Sequence, residues 1–95
     1  MKESATQAAT FLKALAHEGR LMILCHLGAG ERSVGELEAL LNMRQAAVSQ
    51  MLARLREEEL VKTRRDGKTI YYALNDGKTA QVIELLYSLF CEPEA

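Results

Sequence analysis

The chain has 95 residues, of which 48% are hydrophobic and 26% charged, the balance of a globular domain with one core, so residues 1–95 read as a single domain. No apolar run reaches the ~18 residues of a membrane span and no charged-then-apolar leader opens the chain, so a cytoplasmic protein without membrane partners is expected. Two cysteines, with no CxxC and no Cys/His cluster, exclude a multi-bridge secreted framework.

In chain order, Ala8, Phe11, Leu12 and Leu15 recur at helical spacing and predict a first helix over residues ~4–16. A second helix runs from His17 to Gly28, with Leu21, Leu24, Cys25 and Gly28 on one face and Gly28-Ala29-Gly30 as its stop. Ser33 with Glu36 three residues on is a capping-box pattern. It opens a short third helix whose expected buried stripe is Val34, Leu37, Leu40 and Leu41. Asn42-Met43 makes a turn, and a fourth helix spans Arg44 to about Glu58, with Val48, Leu52 and Leu55 facing inward. Val61 to Arg65 and Thr69 to Leu74 are β-branched and aromatic runs that predict a hairpin with Asp66-Gly67 at its tip. A fifth helix from about Gly77 to Phe90 carries Val82, Leu85, Leu86 and Leu89 on one face, widened by Ile83, Tyr87 and Phe90, before Pro93 closes the chain.

Four helices, a hairpin and a last helix make a mainly α fold with a β-hairpin wing, the order of a winged helix-turn-helix that inserts its second motif helix into the DNA major groove. The net charge of −1 and pI near 6.1 conceal an asymmetry: residues 44–68 carry seven Lys/Arg against four Asp/Glu. Phosphates respond to that local potential rather than to the average. On the fourth helix Gln45, Ser49 and Gln50 lie near one side, where Gln pairs with adenine edges and Ser reaches bases or phosphate. Arg44 and Arg54 at the margins suit backbone phosphates, and on the hairpin Lys62, Arg64, Arg65 and Lys68 flank the turn where a wing meets DNA. The first and fifth helices offer more apolar surface than so small a domain covers, which predicts a homodimer through them, with two reading helices in adjacent major grooves.

The segments ALAHEGRLMILCHL, ELEALLNMRQAAVSQMLARLREEELV and RRDGKTIYYAL closely resemble the ArsR/SmtB family of bacterial repressors over nearly the whole chain. The family's Leu-Arg-Leu opening of the second helix is here Gly19-Arg20-Leu21, and its Gln-x-x-Val-Ser reading helix is Gln45 to Ser49. The resemblance implies a homodimer that binds double-stranded operator DNA until an inducer releases it. Metal-sensing relatives carry Cys-x-Cys near the start of the third helix, where this chain has Arg32-Ser33-Val34-Gly35, or Asp and His on the last helix, where it has Glu84 and no histidine. His17 and His26 lie in or near the second helix. Cys25 and His26, being adjacent, point about 100° apart on a helix and share an ion poorly. No metal and no cofactor is expected.

Cys25 and Cys91 remain. Free cysteines are commonly small buried hydrophobes, but these two face each other within one protomer if the second helix packs on the fifth. Their spacing is similar to that of the dithiol persulfide-sensing (SqrR/BigR-type) repressors of this family. That resemblance implies a reactive-sulfur inducer, for example glutathione persulfide, a polysulfide link between Cys25 and Cys91, and control of sulfide-oxidation genes. The competing readings keep the repressor and change the inducer to peroxide, hypochlorite or a thiophilic metalloid at the same dithiol. A thiol enzyme would need a CxxC, a Gly-rich phosphate loop or a Ser/His/Asp set, and the chain has none with suitable spacing. A pure dimerisation module leaves the basic 44–68 segment without a purpose.

Overall fold

A computed structural model describes residues 1–91, so Pro93 lies outside the described residues. The elements are α1 (Lys2–Leu15), α2 (Glu18–Gly28), β1 (Arg32–Ser33), α3 (Val34–Leu41), α4 (Gln45–Glu57), β2 (Val61–Asp66), β3 (Thr69–Leu74) and α5 (Gly77–Phe90). The expected five helices and hairpin are all present, in a winged-helix arrangement. No helix is long and apolar enough to cross a membrane.

β1 was not predicted. Arg32 pairs with Tyr72 and Ser33 with Tyr71, so the hairpin becomes a three-stranded antiparallel sheet in the order β1-β3-β2. Two residues are too few to show a period-two pattern; they are a strand only because β3 offers them an edge. The hairpin tip also sits one residue later than Asp66-Gly67. Asp66 pairs with Thr69 across a two-residue turn made by Gly67 and Lys68, with Gly67 at φ +65. Glycine in the first central position, followed by a residue of negative φ, fits the type II′ pattern, whose twist matches that of the flanking strands.

The core gathers around α2. Ile23, Leu24 and Leu27 of this helix are buried against Leu37 and Leu41 of α3, Val48, Leu52 and Leu55 of α4, Leu60 and Val61 beyond it, and Ile83 of α5. The inward face of α2 therefore differs from the expected one: Leu21 and Cys25 are only half-buried and Gly28 is exposed. The helix is apolar on nearly every side, so spacing alone could not single out its inward face. Leu40 likewise lies at the surface and not in the α3 stripe, and Leu85 and Leu89 of α5 are exposed while Ile83 packs inward. Gly19 marks a close approach of α2 to α4: a Cβ there would stand 2.4 Å from Met51 Sδ.

Local chemistry sets the helix boundaries. The capping box at α3 forms in full, Ser33 Oγ accepting from the Glu36 N–H (3.1 Å) and Glu36 Oε1 from the Ser33 N–H (2.8 Å). Asn42 ends α3 in the left-handed region at φ 54, which asparagine tolerates better than most residues. His17 opens α2, its Nδ1 accepting from the Arg20 N–H at 3.3 Å. Arg20 then reaches back to the end of α1, donating from Nε to the Ala14 carbonyl (2.6 Å) and from a terminal nitrogen to that of Lys13 (3.2 Å). The Lys13 carbonyl also accepts from the Ala16 N–H at 3.3 Å, so the cation supplements the backbone cap and fixes the α1–α2 corner.

Two substitutions test these boundaries. Arg20→Ala removes charge-assisted bonds to two helix-end carbonyls and is expected to cost about 1–3 kcal/mol in chemical denaturation. Asp76 caps α5 by accepting from the Thr79 N–H at 2.8 Å, and that bond holds its carboxyl below the ordinary range. Asp76→Ala is expected to cost about 1 kcal/mol at neutral pH. The cap contributes fully above the ordinary aspartate pKa of about 3.9 and loses its contribution as pH falls through the folded value. The difference between wild type and variant should therefore vanish in acid.

Candidate DNA-reading surface and dithiol site

α4 buries Val48, Leu52 and Leu55 and turns Gln45, Ser49, Gln50 and Arg54 to solvent. Arg44 is its N-cap residue, exposed, and the first turn holds no acidic side chain to offset the positive helix end. A phosphate or base edge meeting this end finds exposed donors and no carboxylate from the helix's first turn. Arg54 touches Glu58 at 3.6 Å one turn on, a surface pair of the kind that contributes little.

The strand register sorts the wing cations. Side chains alternate along β2, so Lys62, Arg64 and Asp66 share one face and Val61, Thr63 and Arg65 the other. Arg65 and Lys68 are exposed without an ion-pair partner among the described residues. Arg64 is engaged: Nε donates to Glu31 Oε2 at 3.2 Å, a terminal nitrogen donates to Glu31 Oε1, and its Cζ lies 4.8 Å from the centroid of the Tyr71 ring. Pairing with Arg64 holds the Glu31 carboxyl below its usual range. Glu31 and Tyr71 were missed in the sequence. A strand ending at Arg65 would have placed Ile70 opposite Arg64, and only the two-residue turn brings Tyr71 there.

α2 packs on α5, and both cysteines line one groove of about 390 Å³ between them, with Leu21, Met22, Leu86, Tyr87 and Phe90 as its apolar walls. Glu18 and His26 are the polar residues at this groove. Neither thiol is in a disulfide; Cys25 is half-buried and Cys91 exposed. Burial pushes the Cys25 thiol up from its ordinary pKa, and a negative charge on Cys91 pushes it further in the same direction. Among the described residues no group of three or more His, Cys, Asp or Glu is placed to hold a metal ion.

A capping-box helix α3, a polar exposed helix α4 after a tight turn, and a basic hairpin wing after that define a winged-helix transcriptional regulator. The chain belongs to the arsR family of bacterial regulatory proteins, whose family description matches residues 17–63. It is 53% identical over 94 residues to the biofilm growth-associated repressor of Agrobacterium fabrum, spanning 99% of this chain and 80% of that one. Among solved structures, the repressor BigR from Xylella fastidiosa superposes with a TM-score of 0.88 at 45% identity, covering 100% of this chain and 96% of that one. Reduced HlyU from Vibrio cholerae N16961 superposes with a TM-score of 0.93 at 44% identity, covering 97% of each chain. These relatives are regulators and not enzymes.

The raised Cys25 pKa has a direct consequence for reactivity, because the thiolate is the nucleophile. In alkylation followed residue by residue by mass spectrometry, Cys25 is expected to react through a higher pH range than a free cysteine. Cys91→Ser should shift that range down, since it removes one of the two causes, while burial keeps it above that of a free thiol.

Proposed function

We propose that the chain is a homodimeric transcriptional repressor that binds operator DNA with its dithiol reduced and releases it when persulfides join Cys25 to Cys91. The single observation that carries this reading is the shared α2–α5 groove that both thiols line. On the DNA side Arg44, Gln45, Ser49, Gln50 and Arg54 of α4 meet base edges and phosphates in the major groove, and Arg65 and Lys68 of the wing meet the backbone. The apolar residues left uncovered on α1 and α5 support pairing of two chains: Leu12 is 57% exposed, Leu85 57%, Leu89 64% and Phe90 80%. Two relatives are repressors by name, which supports this reading, whereas HlyU of Vibrio cholerae is named a transcriptional activator.

The chemistry balances with persulfide as both sulfur donor and oxidant. Each cysteine thiolate attacks the terminal sulfur of a persulfide RSSH, forming Cys–S–SH and expelling RSH. Cys91, the exposed thiol, takes a second sulfur in the same way. The Cys25 persulfide then attacks the inner added sulfur on Cys91 and expels HS⁻, leaving a four-sulfur bridge. Two thiols and three RSSH give one tetrasulfide, three RSH and one H₂S, and the third persulfide is the one reduced. A disulfide needs Cα atoms about 4.4–6.8 Å apart, whereas a four-sulfur link also spans a wider separation without moving backbone. A bridge clipping α2 to α5 favours a dimer arrangement that fits the operator less well, and a coupling of about 1–3 kcal/mol is typical of such switches. The expected targets are genes for sulfide oxidation.

Intact-mass spectrometry after persulfide treatment should show one chain gaining two sulfur atoms and losing two hydrogens. A loss of two hydrogens alone, or chains cross-linked to each other, would contradict the tetrasulfide. Cys25→Ser and Cys91→Ser proteins should still retard an operator duplex in a gel but no longer leave it on treatment. Leu89→Glu should lower the dimer fraction in analytical ultracentrifugation and weaken operator binding with it.

A further inference from the structure

The wing carries Arg64 and Arg65 in adjacent positions, and charge alone makes them equivalent phosphate ligands. Their surroundings are not equivalent. Successive strand residues point to opposite faces, so the two side chains leave β2 in opposite directions. Arg65 is exposed without an acidic partner among the described residues. Arg64 has its donors turned onto both oxygens of Glu31, a residue 33 positions earlier in the chain, and its plane against the Tyr71 ring. Asp66, on the same face, lies 4.0 Å from it as a second carboxylate.

Glu31 immediately precedes β1, and β1 leads without a break into the capping box that starts α3. The Glu31–Arg64 pair therefore ties the wing to the segment that launches the helix-turn-helix, and Tyr71 braces it from the neighbouring strand. We infer that Arg64 is a positioning residue: it sets the angle of the wing relative to the helix-turn-helix, while Arg65 and Lys68 supply the wing's phosphate contacts. A carboxylate at the root of a DNA-binding wing is otherwise costly, because it repels the backbone the wing approaches. Its two-pronged grip on Arg64 gives it a purpose. The inference rests on the DNA-binding reading and goes beyond it by dividing the wing cations into two roles.

Salt dependence separates the roles, since each phosphate contact contributes about 0.9 to the slope of log K against log salt. The probe is a duplex selected from a random library by the wild-type protein. Arg65→Ala should lower the slope by about one. Arg64→Ala should leave the slope unchanged and weaken binding roughly two- to fivefold at every salt concentration, the scale of one exposed ion pair. The exchanged pair Glu31→Arg with Arg64→Glu should recover most of that loss, because it restores the tie with the charges reversed. A slope lowered by about one in Arg64→Ala, or an exchanged pair that binds no better than Arg64→Ala alone, overturns the assignment while leaving the wing as a DNA contact. Slopes unchanged in both single variants would remove the wing from the DNA surface altogether, and the assignment with it.

Discussion

Everything in this molecule leans on α2. Eleven residues long and apolar nearly all round, it is the helix against which α1, α3, α4, α5 and β3 all pack. Burying Ile23, Leu24 and Leu27 on one side leaves Leu21 and Cys25 to cover α5 on another, with Glu18, Met22 and Gly28 left exposed. A domain of this size has one core and no spare one, and a helix in contact with every neighbour is how it makes that core suffice. The close approach at Gly19, where Met51 fills the space a Cβ would occupy, belongs to the same economy.

That central position also gives the proposed switch a physical route. Cys25 stands on the side of α2 that meets α5, and Gly19 stands where α2 meets the reading helix α4. A covalent bridge pulling α2 and α5 together acts on the element that α4 rests upon. Close-packed interiors shift between discrete arrangements and do not deform smoothly, so a small change at the groove can become a change in how two reading helices are spaced. Burial raises the Cys25 thiol above its ordinary pKa, while Cys91 stands exposed at the same groove.

Electrostatics divides the labour differently. In a chain with net charge −1 the excess of cations is confined to residues 44–68, and even there not every cation is free. Arg64 is taken up by Glu31 and Tyr71, and Arg54 is grazed by Glu58, whereas Arg44, Arg65 and Lys68 have no ion-pair partner among the described residues. Counting charges along the sequence therefore overstates the number of cations with free donors. What matters is which cations have donors left over once the protein's own carboxylates are satisfied.

How much of this was legible beforehand follows from the range of each signal. Helix periodicity, the Ser33–Glu36 capping box and the Gly67 turn are written within a few residues, and they specified five helices, a hairpin and a winged helix-turn-helix order without reference to the rest of the chain. The placement of Cys25 and Cys91 at one groove was reachable as well, because it needed only that α2 and α5 pack. Other features required the tertiary structure. An all-apolar helix has no periodicity to say which side is inward, so Ile23 and Leu27 displaced Cys25 and Gly28 from the core face. Strand β1 exists because β3 has an edge to pair with, and Arg64 has its partners because a turn one residue shorter sets the register that brings Tyr71 opposite it. Local sequence determined which elements form and which partner class the chain serves. Non-local packing alone decided which of two adjacent arginines keeps its donors free, since side chains compete for partners in space and not along the chain.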